Sequence, residues 1–274
     1  MKHGCTAGQA EPSTARSVRT VRSPVNSRLR VTGPLFKWFG SKWLASKLYP
    51  APEHNTIFES FAGSAGYSLR HHEKNVVLWE DNAQLHALWT WLIAPSTKSS
   101  QVLEIPLNIP EGTDIREIGL NKFQALLLKH WQRTNNVGDC WTISPWGNKP
   151  GQWTANTRAR VAEELHAVKH WEVRRVMYEG PGTYFIDPPY LYNYRYRFAS
   201  FDHAALVANI GRIPEHGQVI VCEAACQKTG RVPDYLPFRP FGSRITSRRK
   251  KTENHHSPEY LWVRGTKNGS ETRR

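Results

Sequence analysis

Thr183-Tyr184-Phe185-Ile186-Asp187-Pro188-Pro189-Tyr190 is the stretch whose reading decides the fold of this chain. Its first four residues are an apolar, aromatic run of strand length. Two consecutive prolines then end it, because neither can donate to a sheet and both hold φ near about −65°. The strand must stop at Asp187 in a stiff, extended turn. A carboxylate, the Pro188 carbonyl and the Tyr190 ring are thereby presented together. That trio suits a flat base with an exocyclic amino group, which can donate to both oxygens while the ring stacks. Asp-Pro also breaks strands in ordinary loops, so these four residues alone leave a purely structural turn open.

Outward from this stretch, strand-like and helix-like blocks alternate from residue 34 onward. The spacing predicts a helix over Gly40 to Leu48, a strand over Thr56 to Phe61, a helix over Ser64 to His72 and a strand over Asn75 to Trp79 closed by Glu80. Asn82 to Ile93 has apolar residues at 85, 88, 89 and 92, the period of an amphipathic helix. Later blocks read as a strand near Val173 to Tyr178, a helix near Asp202 to Gly211, a strand over Gln218 to Cys222 and a closing strand over Tyr260 to Val263. Strands alternating with helices imply an α/β fold with a doubly wound, mostly parallel sheet. Ligands of such sheets bind beyond the carboxyl ends of the strands, where Glu59, Glu80 and Asp187 fall.

Residues 95 to 172 interrupt the alternation and read as an inserted, mainly helical subdomain, with helices over Leu120 to Trp131 and Asn156 to His170. Between those helices Trp141, Trp146 and Trp153 stand among amides and small residues, either as the insert's own core or as recognition residues.

The chain carries 37 Lys and Arg against 23 Asp and Glu, a formal net charge of +14. A polyanionic partner follows from that balance. The excess is concentrated. Residues 1–33 hold six basic residues against one acid and read as a disordered tail, either a DNA-seeking arm or a merely solubilising extension. Residues 239–251 hold six against none, and Arg244, Arg248, Arg249, Lys250 and Lys251 in that run are candidate phosphate contacts. Residues 266–274 read as a flexible C-terminal tail. Cys5, Cys140, Cys222 and Cys226 have neither disulfide-framework nor zinc-knuckle spacing, and the doublets His71-His72 and His255-His256 lack a third ligand, so no metal is expected. No stretch has the length and apolarity of a membrane span or a secretory core, and the expected compartment is cytoplasmic.

Phe58-Glu59-Ser60-Phe61-Ala62-Gly63-Ser64-Ala65-Gly66 joins a strand to a helix through small residues, which let the backbone approach a ligand. Glu80 ends the next strand, placed to accept from both hydroxyls of a ribose. NAD, ATP or S-adenosylmethionine would fit this arrangement. A Walker loop would not, since no Gly-Lys-Ser/Thr follows.

The order of pieces, Leu35-Phe36-Lys37-Trp38-Phe39-Gly40-Ser41-Lys42-Trp43, then the glycine turn, Glu80, a long insert and Asp-Pro-Pro-Tyr, resembles the DNA adenine-N6 methyltransferases of the Dam type. The resemblance implies a Rossmann-like methyltransferase domain over 34–94 and 173–265, with 95–172 as the target-recognition subdomain. It implies S-adenosylmethionine as cofactor, held by Lys37, Trp38, Lys42, Glu59, Phe61, Gly63, Ser64, Glu80 and Asp187. It implies Asp187, Pro188, Pro189 and Tyr190 as the catalytic turn, and a bacterial cell or phage-infected host as the setting. Ser60 stands where the family usually has proline, and Ala65 where it usually has the second glycine. The expected activity is site-specific transfer of a methyl group to a flipped adenine of double-stranded DNA by a monomer. The alternatives are an RNA adenine or DNA cytosine-N4 methyltransferase, or a nucleic-acid-binding protein on a degenerate scaffold. Asp rather than Ser before Pro-Pro argues against cytosine. Beyond the turn, aromatic residues recur at every second position from Tyr190 to Phe198, either as a strand packing its rings inward or as a lip that stacks on bases and clamps phosphate through Arg195 and Arg197.

Overall fold

The computed structural model describes residues 30–132, 140–175, 180–191, 201–226, 229, 231, 233, 235, 240–245 and 259–265. Seven strands form one sheet: β1 Thr56–Ser60, β2 Asn75–Trp79, β3 Glu172–Arg174, β4 Thr183–Ile186, β5 Gln218–Ala224, β6 Pro240–Ile245 and β7 Glu259–Arg264. Their order is β3-β2-β1-β4-β5-β7-β6. β1 to β5 run parallel, and β7 alone is reversed, pairing antiparallel with both β5 and β6. The mostly parallel α/β sheet expected from the alternation is present. From β1 the chain first grows outward to β2 and β3, then returns to lay β4 on the other side of β1. That reversal opens a crevice beyond the carboxyl ends of β1 and β4.

All four residues of β4 and all seven of β5 are buried. Both faces of the sheet are covered, so its central strands read as unbroken apolar runs. Alternate side chains enter two cores. On one face Ile57, Leu78, Phe185 and Ile220 pack with Tyr67, Trp89 and the helical block that follows β2. On the other, Phe58, Tyr184, Ile186, Val219 and Val221 meet Leu206 and Ile210 of α5 (His203–Gly211).

The block between β2 and β3 contains α1 (Ala83–Ile93), α2 (Ser99–Leu103), α3 (Lys122–Trp131) and α4 (Ala155–Glu164). Asn82 starts α1, its side chain accepting from Gln84 N at 3.0 Å and Leu85 N at 3.2 Å. At the other end, Lys169 Nζ donates to Leu92 O (2.8 Å), Ala94 O (2.8 Å) and Thr97 O (2.9 Å), collecting carbonyls that the finished helix leaves over. Val102, Ile115, Leu127, Trp131, Trp153 and Val161 of this block belong to the same contiguous core as Ile57 and Phe185 of the sheet. Of the three loop tryptophans, Trp153 is core, its indole donating to Pro106 O at 3.1 Å, and Trp141 lies under Lys129 Nζ at 4.3 Å. Trp146 faces outward, 60% exposed.

Several expected elements differ. The helix over Gly40 to Leu48 is a series of turns with one 3-10 turn at Ser46–Leu48, and Gly40 itself lies outside the helical region at φ +80°. The helix over Ser64 to His72 shrinks to a 3-10 turn at Ser68–His71, because Ala65 sits at φ +50°, outside the helical region. β5 continues past Cys222 to Ala224, and β3 is Glu172–Arg174, with 176–179 outside the described residues. Of the expected tail, Val31 is buried and Thr32 bonds Glu164, so packed structure begins before residue 34. Among the described residues no helix is long and apolar enough to cross a membrane.

Replacing Lys169 by Met should strip three partly buried carbonyls of their donor and destabilise the fold by about 1–3 kcal/mol. Urea unfolding, read as a lower midpoint at unchanged slope, measures it.

Candidate active site

β1 and β4 are in register, with Ser60 opposite Ile186, so Phe61 and Asp187 leave the sheet side by side. Trp79 of β2 is level with Ser60, which brings Glu80 to the same rim. The three residues predicted to end their strands at the site therefore surround one crevice mouth.

The turn after β1 is built from an alternation: Phe61, Gly63 and Ala65 have φ of 57°, 52° and 50°. Gly63 is required twice, for its left-handed backbone and because a Cβ there would stand 2.5 Å from Trp38 Cδ1. The Trp38 indole thus lies against the turn, and Trp89 Nε1 holds Gly63 O at 2.8 Å from beneath. Ser64 Oγ donates to Ser41 Oγ at 2.8 Å, tying the turn to the 38–42 segment.

Turns of this kind gather backbone N–H groups that can grip an anion. Here carboxylates of the chain itself take them. Gly63 N donates to Glu80 Oε2 at 2.9 Å, and Asn82 N to Glu80 Oε1 at 2.8 Å. Ser68 N donates to Glu59 Oε2 at 2.8 Å, and Glu59 is only 3% exposed. Glu59 is therefore turned beneath the loop as its brace. Glu80 is oriented by one N–H per oxygen, which leaves each oxygen a second lone pair for a hydroxyl. Burial raises the Glu80 carboxyl above the usual carboxylate range, and the Asn82 and Gly63 amides partly offset this.

Lys42, buried, crosses to β4: its Nζ lies 2.5 Å from Asp187 Oδ2, 3.1 Å from Gly40 O and 5.2 Å from the Tyr190 ring centre. Asp187 Oδ1 is buried as well and accepts no hydrogen bond of normal geometry. Burial raises the Asp187 carboxyl to about 6, against the pull of the Lys42 ammonium, with a smaller lowering contribution from the Tyr190 hydroxyl. A carboxylate with one oxygen held by an ammonium and the other buried, with at most the Tyr190 hydroxyl near it, keeps a lone pair that can seat one N–H donor.

Trp38, Lys42, Phe61, Gly63, Ser64, Glu80, Asp187 and Tyr190 are thus gathered at the rim. Lys37 is not aimed there: its Nζ donates to Gln152 Oε1 at 2.7 Å in the helical block. Arg244 lies on β6, the edge strand. Arg195, Arg197, Arg248, Arg249, Lys250 and Lys251 lie outside the described residues. Among the described residues no group of three His, Cys, Asp or Glu side chains could hold a metal ion.

Two residues at the turn are missed by the sequence reading. Glu223, at the end of β5, is fully buried, and its carboxylate accepts from Leu191 N at 3.2 and 3.3 Å. His203, at the start of α5, holds Pro189 O from Nε2 at 3.2 Å. An acid inside the apolar run Val219 to Ala225 is the one hint for Glu223, since a buried carboxylate needs donors nearby. Comparison of the chain with protein-family models and with curated proteins finds no match.

Ala65 occupies a left-handed position that costs an L-residue roughly 1–2 kcal/mol. Glycine would remove that strain, but it would lose a buried methyl worth about 0.8 kcal/mol and add about 0.4–1 kcal/mol of unfolded-state entropy. Ala65→Gly should therefore change stability by less than about 0.5–1 kcal/mol. Ala65→Val, β-branched at positive φ, should cost more than about 2 kcal/mol. Denaturant midpoints of the two variants test this.

Burial also raises Glu59 and Glu223 from 4.5 to about 7, partly offset by their hydrogen bonds. With Asp187, these acids stay protonated in the folded state over a range where the unfolded chain has released the proton. Through these acids the folded form binds more protons between about 4 and 7, so their contribution to stability falls as pH rises through that window, against a smaller opposite contribution from His71, His86 and His130, whose imidazoles burial lowers. The thermal midpoint should be higher at pH 5 than at pH 8, and Glu59→Gln should shrink the difference by about 2–4 °C. A midpoint that rises steadily across this window would contradict the assignment.

Proposed function

We propose that this chain is an S-adenosylmethionine-dependent DNA adenine-N6 methyltransferase. The observation that carries the reading is Asp187, half-buried at the switch point of a doubly wound sheet, with Oδ2 on Lys42 and a buried Oδ1 that accepts no hydrogen bond of normal geometry. An adenine amino group would donate one N–H to Oδ1 and the other to the Pro188 carbonyl, with the base against Tyr190. Two such bonds pyramidalise the nitrogen and aim its lone pair out of the ring plane. Duplex DNA would have to release the adenine from its pair and stack, at a cost of a few kcal/mol.

The neighbouring turn argues for the cofactor. A dinucleotide or nucleoside triphosphate would need the N–H groups of Gly63 and Ser68 for phosphate. Those donors are committed to Glu80 and Glu59, which leaves none of them for a phosphate. A nucleoside that carries a cation and no phosphate fits: Glu80 would take the ribose hydroxyls, and Trp38 and Phe61 would wall the site. Bound S-adenosylmethionine supplies an electrophilic methyl group on a sulfonium. Asp187 and the turn would contribute position and charge at the amino nitrogen, and the proton that N6 loses on methylation would leave by way of Asp187 or directly to water. The net charge of +14 suits a nucleic-acid substrate.

Radiolabelled S-adenosylmethionine, mixed with the full chain and a pool of adenine-containing duplexes, should place label in adenine N6. DNA that binds yet takes up no label from any duplex would sink the enzyme reading. Asp187→Asn keeps the shape beside Lys42 but removes the charge and half the acceptors. It should lower single-turnover transfer by roughly 100-fold or more while cofactor affinity changes little.

A further inference from the structure

We propose that Glu223 and His203 are positioning residues that clamp the backbone on either side of Tyr190 and so fix its ring against the target base. The inference deepens the methyltransferase reading and rests on it. Pro188 and Pro189 have no N–H, so the turn has few ways to be tied down. Asp187 N reaches Ser60 O only at 3.5 Å, a weak hold. The firmer ties flank Tyr190. Leu191 N is shared by both oxygens of Glu223, and Pro189 O accepts a hydrogen bond from His203 Nε2 at 3.2 Å.

Both anchors are themselves secured. Glu223 also accepts from Ala224 N at 2.9 Å and from the Tyr235 hydroxyl at 2.7 Å, so three donors offset its loss of water. Tyr235 meets the His203 ring edge-on at 5.1 Å, which joins the two anchors through one side chain. His203 in turn packs at 4.8 Å on Phe201, and Phe201 at 5.3 Å on Phe61 of the turn after β1. Sheet pairing at the end of β5 needs no carboxylate. One placed there with its donors converging on the backbone beside Tyr190 has a use in setting the orientation of that residue, and misplacement of about 1 Å can cost on the order of 100-fold in rate.

The test reads hydrogen exchange and catalysis in the full chain. Glu223→Ala should speed exchange of the Leu191 amide by about 10-fold or more. It should also lower single-turnover methyl transfer by about 10- to 100-fold, while affinity for S-adenosylhomocysteine stays within about 3-fold of wild type. Glu223→Gln, which keeps one acceptor, should recover part of both losses. Tyr235→Phe, which removes a single donor and is expected to fold, should move both readouts the same way by a smaller factor, and His203→Ala should slow transfer without weakening S-adenosylhomocysteine binding. Unchanged exchange at Leu191, or faster exchange with an unchanged transfer rate, overturns the inference. No transfer by the wild type on any duplex instead overturns the methyltransferase reading, and the exchange data still report whether Glu223 holds the turn.

Discussion

The parallel pairing of β1 with β4 is the constraint on which the rest depends. Four residue pairs, from Ile57 with Thr183 to Ser60 with Ile186, place two strands distant in sequence next to each other at the same height. Both are buried on both faces, so a one-residue slip would send each side chain into the opposite core and bury the Glu59 carboxyl against the wrong neighbours. Once the register is set, Phe61 and Asp187 emerge together, and each must turn at once. Phe61 does so through a left-handed backbone, and Asp187 through two prolines. The crevice is thus a product of where the strands end, and the chemistry is assembled from what the chain offers there.

The electrostatics follow from the same crowding. Glu80 and Asp187 stand at the rim with Glu59 and Glu223 packed beneath it, each with its carboxyl raised by burial. Three of them are stabilised by backbone amides: Ser68 for Glu59, Gly63 and Asn82 for Glu80, and Leu191 and Ala224 for Glu223. Asp187 differs. Its partner is a side-chain cation, and its second oxygen is left over. The acids that shape the walls are satisfied internally, and the one at the centre of the crevice retains bonding capacity.

Much of this was legible in the sequence where a residue's effect is local. Proline ends a strand whatever surrounds it, so β4 and its terminus were read closely, and Asn82 followed by a helical apolar period marked α1. Glu80 and Asp187 were legible as strand ends. The errors lie where tertiary contacts override local preference. Ser64 to His72 has helical spacing, but Ala65 is left-handed in the turn, and the backbone at Gly66 passes so close to Trp43 that its N would lie 2.4 Å from a Cβ. Glu223 and His203 were invisible because the clamp on Tyr190 exists only once β5, α5 and the turn after β4 converge. Lys37 was misread for the same reason: in sequence it sits beside Trp38, but in space it turns to Gln152.

Lys37 is one of several stitches in the segment that leads into the crevice. Thr32 is bound to Glu164, Arg160 holds Pro34 O, and Trp131 holds Leu35 O, so residues 32–37 are sewn to α3 and α4. A few residues later the same segment ends in the ammonium that grips Asp187. The segment is a short tether with one end in the helical block and the other on the central carboxylate. Any tilt of that block against the sheet would pull on the tether and be felt as tension at Asp187, which couples the block mechanically to the crevice without touching it.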